Sequence, residues 1–439
     1  MKSDFALSPC SCGKAHTANI DDIIIGRGVI RRLPELLSRY GAVKPFVLAD
    51  VNTYRAAGES VVKLLQDHNI EFSSHVFQSG RLEPDENAVG AAVMHFDHTC
   101  DMIIGIGSGV IHDIGKILSS ISNKKYIIVA TATSMDGYAS ATSSMSMDGV
   151  KVSLLSRPAD IIIGDTNILA QAPADMLISG LGDMLAKYIS IAEWRISHVI
   201  NGEYYCEEIA ALVRGALKKC IDNVEGLLKR DEAAIRAIFE GLIISGVAMA
   251  YAGVSRPASG VEHYISHIWD MRGLSFGTAV STHGIQCAIG TLYAAKIYDK
   301  LKKISPDKVK ALSFVARFDY ASYSAQLKTF LGKGADAMIA LETKEKKYDV
   351  EKHTKRLDTI ISEWDKIVKI IEEEIPAPDE IERLLRAVRC PKTAEEIGID
   401  PNTLLAAFYA TRDIRDKYVL SRLCWDLGVE DGFFNQIFI

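Results

Sequence analysis

The sequence predicts an α/β domain built on a parallel sheet, followed by an all-α helical domain. Two observations support this prediction. Short apolar strands alternate with amphipathic helices from residue 22 to residue 165, the order typical of a parallel sheet that is covered on both faces. Beyond residue 169 the apolar residues recur almost only at helical spacing. We therefore place the two domains at residues 1–168 and 169–439.

The elements can be assigned in order along the chain. Strands are predicted at DIIIG, PFVLAD, EFSSHVF, DMIIGIG and YIIVATAT, with helices between them at residues 29–41, 56–68, 86–96 and 111–122. A β-hairpin that turns at Asp148-Gly149 follows. In the second half, helices are predicted at residues 176–195, 203–228, 232–252 and 284–298, and around VEHYISHIWDM.

Composition narrows the class of protein. Hydrophobic residues make up 48% of the 439 positions and charged residues 24%, as in a soluble protein with a large core. The net charge of −6 gives no support for nucleic-acid binding or a basic membrane anchor. The N-terminus lacks the apolar core of a signal peptide, and eight scattered cysteines do not form a disulfide framework, so we expect a cytoplasmic protein. The apolar run at residues 238–254 is too interrupted for a membrane span and predicts a buried helix.

The N-terminal segment CSCGKAH contains three residues that bind metals in other contexts. Cys10, Cys12 and His16 could hold a small metal clip, but C-x-C is not the spacing of a common zinc site, and the sequence offers no fourth ligand nearby. We favour a reduced, ordered N-terminal arm.

Three histidines in residues 255–291 indicate a metal site. His263 and His267 stand one helical turn apart, so their imidazoles share a helix face. His283 opens the next apolar segment, and two packed helices could bring it to the same place. Such a cluster suits one divalent ion that takes an acidic ligand from elsewhere and keeps one position open. A histidine pair at this spacing also occurs as helix decoration, but the motifs around it favour the metal.

Asp183, in SGLGDMLAKY, is a candidate for the missing acidic ligand. If the helix begins with this segment, Asp183 lies in its first turn, after Gly180 and Gly182. A carboxylate there also complements the helix dipole without any further role. The sequence leaves both interpretations open.

The segment GIGSGVIHDIGK, at residues 105–116, is a strand-to-helix turn that could hold a phosphate. Its glycines permit close backbone approach, and the start of the helix offers free N–H groups. Val110 occupies the last position of G-x-G-x-x-G, so the ordinary dinucleotide fingerprint is absent. Glycine-rich turns also occur for packing reasons alone.

Polar residues end two other strands. Asp50 ends FVLAD, where it could accept a hydrogen bond from a ribose diol or simply cap the next helix. The hydroxyl-rich loop TATSMDGYASATSS contains one acid, Asp136. Open α/β sheets bind ligands at the carboxyl ends of their strands, which favours a ligand beside this loop, although such a loop can also be only a polar turn. For Asp50 the sequence favours neither the ribose contact nor the cap.

Taken together, these segments resemble the sn-glycerol-1-phosphate dehydrogenases of the iron-containing alcohol dehydrogenase, glycerol dehydrogenase and dehydroquinate synthase superfamily. The matching segments are IGSGVIHD, TATSMDGYAS, SGLGDMLAKY, SRPASGVEH with ISH, and THG, in the family's order over residues 22–291. SMDGYAS and SRPASG-x-EH are specific to the glycerol-phosphate branch. The resemblance implies a dehydroquinate synthase-like fold, with a Rossmann-like dinucleotide-binding domain and a helical domain that binds metal and substrate.

The resemblance also implies roles for single residues. Asp183, His263 and His283 match the ligands of one divalent ion, which is zinc, nickel or iron. Asp136 and His267 match catalytic positions that face the substrate, beside Asp183. The implied contacts to NAD or NADP are Asp50, Gly107, Ser108, Gly109, Asp113, Thr131, Ser134 and Ser140. The implied activity is interconversion of dihydroxyacetone phosphate and sn-glycerol 1-phosphate by a homo-oligomer, a dimer or larger.

The substrate phosphate needs a cation or a set of N–H donors. Arg256, in SRPASG, is the obvious cation within residues 255–291, and we expect it to contact the phosphate. Alternatively, Arg256 pairs with a carboxylate such as Glu262 and braces its loop.

Four positions depart from the family pattern. Val110 and His112 stand where Thr and Asn are usual, Thr133 replaces a Pro, and Cys287 stands where a valine is common. They leave open a dehydrogenase of an unphosphorylated polyol such as glycerol. A sugar-phosphate cyclase like dehydroquinate synthase is disfavoured, because SGVEHYISH replaces N-x-G-H-T-x-G-H, and an intact metal triad argues against a non-catalytic binding protein.

Overall fold

The computed structural model describes residues 10–79, 82–148, 150–278 and 280–438. Packing divides the chain into two compact units. Unit 1 comprises Met1–Met184 and Ala211–Val254, and unit 2 comprises Leu185–Ala210 and Ser255–Ile439. The predicted boundary at residues 168 and 169 follows chain order, whereas this division crosses the chain three times.

Unit 1 is organised around a six-stranded parallel sheet. Its strands are β1 (Asp22–Gly26), β2 (Pro45–Asp50), β3 (Ser73–Phe77), β4 (Met102–Gly107), β5 (Lys125–Ala130) and β8 (Ile161–Asp165), while β6 (Thr142–Met147) and β7 (Val150–Leu155) form an antiparallel hairpin. The order across the sheet is β1-β8-β5-β4-β2-β3, with all neighbours parallel. The predicted sheet and hairpin are confirmed. Of the predicted hairpin turn, Gly149 lies outside the described residues, and Asp148 is left-handed with φ 51°.

The central strands are apolar on both faces because helices cover both sides of the sheet. The core includes Val47 of β2, Ile104 of β4, Ile127 of β5 and Ile163 of β8, all fully buried. The helices of this unit are α1 (Leu33–Arg39), α2 (Val51–Thr53), α3 (Glu59–Asp67), α4 (Glu86–His95), α5 (Gly109–Ser122), α6 (Thr166–Leu169), α7 (Ala174–Leu185), α9 (Glu207–Asp222), whose first turn belongs to unit 2, and α10 (Glu232–Ala252).

Helix α10 is the buried helix that the apolar run predicts. By length and composition alone it could cross a membrane, but 72% of its most apolar window is buried. It packs on the short turn Asp136–Ala139, where a side chain at Gly246 would lie 2.8 Å from the Asp136 carbonyl oxygen. The N-terminal arm is ordered against the same helix, because His16 Nδ1 lies 3.2 Å from the Tyr251 carbonyl oxygen and His16 Nε2 lies 3.2 Å from Cys12 Sγ.

Unit 2 is helical, as the sequence predicts. Its helices are α8 (Lys187–Asn201), α11 (Val261–Phe276), α12 (His283–Leu301), α13 (Lys308–Ala316), α14 (Tyr320–Leu331), α15 (Gly334–Glu345), α16 (Val350–Ser362), α17 (Trp364–Glu374), α18 (Pro378–Ala387), α19 (Pro401–Ala410), α20 (Leu420–Asp426) and α21 (Asp431–Phe438). The pair α11 and α12 is closely packed. A side chain at Gly290 would lie 3.0 Å from the backbone of Glu262, so a glycine lets the two helices approach.

Candidate functional site

The sheet of unit 1 reverses its strand order between β2 and β4. From β2 the chain moves outward to β3, and from β4 it moves the opposite way through β5. Open α/β sheets bind ligands outside the carboxyl ends of the strands at such a point. Leu48 pairs with Gly105, so Asp50 and Gly107 end these two strands at the same level. The topology therefore brings the two predicted cofactor positions together.

Asp50 caps the helical segment that follows β2. Its Oδ1 accepts hydrogen bonds from the backbone N–H groups of Asn52 at 2.7 Å and Thr53 at 2.9 Å, and Thr53 Oγ1 accepts one from the Asp50 N–H. The cap expected as an alternative is thus present. Neither of the bonds to the carboxylate uses Oδ2, so the cap and a ribose contact are compatible.

The glycines of the strand-to-helix turn differ in how much space surrounds them. A side chain at Gly105 would overlap the Tyr126 hydroxyl, and one at Gly107 would lie 2.6 Å from Ile111. These two glycines serve packing. At Gly109, the first residue of α5, a side chain would only make ordinary contact with Met135. The Thr131 N–H donates to the Gly107 carbonyl oxygen at 3.1 Å, which fixes the ends of β4 and β5 to each other.

A buried lysine that the sequence did not single out joins two predicted cofactor residues. Lys116 pairs with Asp113 at 2.9 Å, lies 3.5 Å from Ser140 Oγ, and donates to the Thr142 carbonyl oxygen. Its side chain is fully buried. In the sequence this lysine appears only as one member of an i,i+3 Asp–Lys pair within an apolar helix. Sequence alone does not distinguish a buried pair of this kind from one on the surface.

Two of the departures from the family pattern are core residues. His112 is fully buried with its ring 5.6 Å from that of Tyr126 and 5.5 Å from that of Tyr138. Burial, together with the charge of Lys116, holds the pKa of His112 well below its usual value, so the imidazole is neutral. Thr133 is buried, and its carbonyl oxygen lies so close to Gly180 that any side chain at position 180 would overlap this oxygen.

Asp136 and Asp183 are neighbours within unit 1. The Asp136 N–H donates to Asp183 Oδ2 at 2.8 Å, and Ser245 Oγ donates to Asp136 Oδ2 at 2.8 Å. Ser179 Oγ donates to the Ser134 carbonyl oxygen at 2.9 Å. Helices α7 and α10 therefore hold the Ser134–Asp136 loop from two sides.

The structure corrects the position of Asp183 in its helix. Helix α7 begins at Ala174, two residues earlier than predicted, and ends at Leu185, before the single predicted helix would end. Asp183 thus lies in the last turn and is completely buried. The helix dipole disfavours a carboxylate there, so the dipole explanation for Asp183 is wrong. A buried carboxylate at this end calls for donors or a positive partner.

In unit 2, His263 is oriented by its neighbour Glu262. The Glu262 Oε1 atom accepts from His263 Nδ1 at 2.8 Å and from the Gly260 N–H at 2.7 Å. With the proton on Nδ1, His263 Nε2 keeps a lone pair. This is the arrangement in which carboxylates orient metal-binding histidines.

A second chain of hydrogen bonds sets the tautomer of His283. Gln286 Nε2 donates to Asp270 Oδ1 at 3.2 Å and to the Ser281 carbonyl oxygen at 3.0 Å, which turns its Oε1 toward Ser266. The Ser266 hydroxyl donates to that oxygen at 2.8 Å and lies 3.0 Å from His283 Nδ1. Because the hydroxyl proton is used, Nδ1 is the donor to Ser266, and His283 Nε2 keeps a lone pair.

The three predicted histidines are together. The rings of His263 and His283 lie 5.2 Å apart, and those of His267 and His283 5.7 Å apart. His267 is half-buried and can direct a ring nitrogen to within 4.8 Å of ligand atoms of Asp270 and His283. The cluster thus contains two imidazoles with set tautomers, of which His263 is buried and His283 half-buried, and the half-buried imidazole of His267 beside them.

Cys287, the fourth departure from the family pattern, belongs to the same cluster. Its Sγ lies 3.7 Å from His283 Nε2. Burial alone would raise the pKa of the Cys287 thiol, but the adjacent His263 and His283 together outweigh burial and lower it.

The structure also corrects the expected role of Arg256. The guanidinium is 3% exposed, and Nε and Nη2 donate to the two carboxylate oxygens of Glu203 at 2.7 and 2.5 Å. Nη1 donates to the Tyr418 carbonyl oxygen at 2.8 Å. All three nitrogens are engaged within unit 2, and the partner is Glu203, not Glu262. In the structure Arg256 therefore braces its loop, which contradicts the expected contact with the substrate phosphate.

Glu193 of α8 contacts the start of α11, the helix that contains His263 and His267, and was not predicted from the sequence. Its carboxyl oxygens accept from the Leu420 N–H at 2.8 Å and the Val261 N–H at 3.0 Å. Burial and the nearby Glu262 raise the pKa of Glu193 to about 8. The folded protein therefore keeps a proton here that the unfolded chain loses near its ordinary value of 4.5.

This proton makes a pH-dependent contribution to stability. Between about pH 4.5 and pH 8 the native state binds more protons at Glu193 than the unfolded state, so this contribution falls as pH rises. We expect Glu193→Gln to remove it. The unfolding free energy of the variant relative to the natural protein should then increase between about pH 5 and pH 8, as measured by urea titration. Glu363→Gln, at an exposed position, is the control, and equal pH slopes for Glu193→Gln and the natural protein would contradict the assignment.

The chain is similar to known proteins over most of its length. Residues 24–173 match a family model described as iron-containing alcohol dehydrogenase. A glycerol-1-phosphate dehydrogenase [NAD(P)+] of Halalkalibacterium halodurans is 30% identical over 417 residues, which cover 94% of each chain. One of Bacillus velezensis is 34% identical over 296 residues, covering 65% of this chain and 75% of the relative.

Solved structures share the fold. A probable glycerol dehydrogenase from Sinorhizobium meliloti aligns over 96% of this chain and 100% of its own, with a TM-score of 0.59 and 19% identity. At that identity the likeness concerns the architecture, a parallel-sheet half followed by a helical half, which is the architecture that the sequence predicts.

Proposed function

The chain belongs to the glycerol-1-phosphate dehydrogenase family, and on that premise we propose that it interconverts dihydroxyacetone phosphate and sn-glycerol 1-phosphate with NAD(H) or NADP(H). One observation carries the proposal. His263 and His283 lie side by side on two packed helices, and a dedicated hydrogen bond at each Nδ1 places the proton there and makes Nε2 the electron-pair donor of each ring. Packing alone gives no reason to set two adjacent tautomers this way, whereas metal binding does.

The proposed metal ligands are Asp183, His263 and His283, as the resemblance implies. Each unit supports its own part of the set. In unit 1, Asp183 is a buried carboxylate at the end of a helix where a cation is favoured. In unit 2, the two imidazoles have the donor atoms that zinc, nickel and ferrous iron accept. We propose one such ion per chain.

The chain's own residues then have defined tasks. The bound metal supplies Lewis acidity at the ketone oxygen, and the reduced nicotinamide supplies the hydride. His267, which is half-buried, is proposed to donate the proton that this oxygen gains. Asp136, held by Ser245 and by its own N–H, is proposed to orient the substrate hydroxyl.

The proposed cofactor site lies at the reversal point of the sheet in unit 1. The first N–H groups of α5, from Ser108 and Gly109 onward, favour the pyrophosphate, because a helix begins there with its positive dipole end. The resemblance adds Gly107, Asp113, Thr131, Ser134 and Ser140 as contacts. The link from Lys116 to Asp113 supports a fixed wall there, with Ser140 beside it.

We expect Asp50 to favour NADH over NADPH, because its charge repels a 2′-phosphate and its free oxygen can accept from a ribose hydroxyl. Asp50→Ala also removes the helix cap, so Asp50→Ser, which keeps a cap without the charge, is the matched variant. Both variants should shift the NADH/NADPH ratio of kcat/KM toward NADPH by about three- to tenfold, which corresponds to roughly 1 kcal/mol. An unchanged ratio in both would leave Asp50 as a cap only.

The activity is tested by following oxidation of NADH and NADPH on protein of known metal content. Dihydroxyacetone phosphate should be reduced far faster than dihydroxyacetone or simple aldehydes, and the product should be the sn-1 enantiomer. Faster reduction of dihydroxyacetone would indicate an unphosphorylated-polyol dehydrogenase. Conversion of a sugar phosphate without net nicotinamide turnover would indicate a cyclase.

We further propose that the protein acts in the cytoplasm as a homo-oligomer. The burial of α10 supports the first part, because the one described helix apolar enough for a membrane is used in the core of unit 1. Light scattering after gel filtration would give the number of chains.

A further inference from the structure

The proposed function leaves one member of the histidine cluster without a task. Cys287 lies on α12 one helical turn after His283, so the two side chains share a face of that helix. Its side chain is fully buried. One ligand atom each from Cys287, His283 and His263 can lie within 4.8 Å of one another. All three residues belong to unit 2.

We propose that the Cys287 thiolate is a further ligand of the divalent ion, beside His263 and His283. The proposal deepens the proposed function, because it concerns the same ion, but it depends on different atoms. It assigns this chain a mixed sulfur and nitrogen donor set.

The distances favour coordination. In a tetrahedral site the metal lies about 2.0–2.1 Å from nitrogen and about 2.3 Å from sulfur, which puts a nitrogen and a sulfur ligand roughly 3.5 Å apart. The observed separation between Cys287 Sγ and His283 Nε2 is 3.7 Å. A shift of a few tenths of an ångström would therefore complete this part of the site.

The chemistry of the surroundings points the same way. The Nε2 atoms of His263 and His283 both keep lone pairs, because Glu262 and Ser266 occupy the Nδ1 atoms. The Cys287 sulfur is a third electron-pair donor beside them, so the three atoms together form a donor set for one ion.

The proposal has a consequence for metal choice. A thiolate is a soft donor and favours zinc over the harder divalent ions. We therefore expect zinc to be the metal that this chain retains.

X-ray absorption spectroscopy of the natural protein loaded with one zinc equivalent tests the proposal directly. We expect one sulfur neighbour at about 2.3 Å. The same protein loaded with cobalt(II) should show a thiolate-to-cobalt charge-transfer band in the near ultraviolet. In Cys287→Val, which matches the side chain common in the family, and in Cys287→Ser, both signals should vanish and zinc affinity should fall at least about tenfold in chelator competition. Cys424→Ala, another buried cysteine of unit 2, should change neither.

The outcomes separate the two proposals. A sulfur neighbour that is absent from the natural protein, or that persists in Cys287→Val, overturns the ligand assignment even if dihydroxyacetone phosphate is reduced. A sulfur neighbour lost only in the Cys287 variants establishes it even if that substrate is not reduced. Failure of the natural protein to bind zinc or cobalt overturns it as well. The spectrum of the natural protein gives the answer even if a variant does not fold.

Discussion

His263→Ala and His283→Ala are each expected to abolish tight metal binding and to lower kcat/KM for dihydroxyacetone phosphate by at least about 10³-fold, or roughly 4 kcal/mol. The reason is that each side chain offers the ion an Nε2 lone pair whose tautomer is already set by Glu262 or Ser266. Metal content by mass spectrometry and steady-state kinetics check the expectation.

Three further measurements test whether the loss of activity comes from the loss of the metal. His68→Ala, at an exposed histidine of unit 1, should change neither metal content nor rate. Ser266→Ala removes only the group that holds His283, and should weaken metal binding by about 10–100-fold. Chelation of the natural protein should abolish turnover. Full activity in a demonstrably metal-free sample would end the metal assignment.

Arg256→Ala is expected to lower the free energy of unfolding by about 2–4 kcal/mol. The variant leaves the Glu203 carboxylate without its two-point partner and the Tyr418 carbonyl oxygen without its donor. The lower part of the range applies if solvent reaches Glu203, whose side chain is 29% exposed. Urea titration of the variant and the natural protein measures this difference in the free energy of unfolding.

The same variant decides between the two roles considered for Arg256. As a brace, it should slow reduction of dihydroxyacetone phosphate and of dihydroxyacetone by similar factors. Arg256→Lys keeps the charge but cannot bind Glu203 through two parallel bonds, so it should be destabilised as well. A variant of normal stability that is selectively slow with the phosphorylated ketone would restore the phosphate role.

The fold could be predicted well because its signal is periodic and local. The strands DIIIG, PFVLAD and DMIIGIG are observed within one residue of their predicted bounds. The central strand β8, Ile161–Asp165, was not assigned. A run of a few apolar residues has no period that distinguishes a buried strand from a helix, and only pairing between β1 and β5 defines it.

The site was predictable where residues stand close in sequence or resemble a family motif. The tautomer of His263 depends on the residue beside it, yet nothing in the sequence says that Glu262 turns inward. The partners of Arg256 lie 53 and 162 residues away, and sequence gives no information about such pairs. Lys116 and Glu193 are buried ionisable residues, which composition alone would place on the surface.

The interleaved division of the chain has a consequence for synthesis. Helix α8 belongs to unit 2, but the ribosome makes it before α10, which completes unit 1. Helix α17 contains Glu373 and Glu374, which form ion pairs with Arg195 of α8. The ribosome makes α17 about 170 residues later. At roughly 5–20 residues per second, that delay is about 10–30 s. During this interval the surface of α8 that packs on α17 lacks that partner, and no single cut of the chain yields either unit whole.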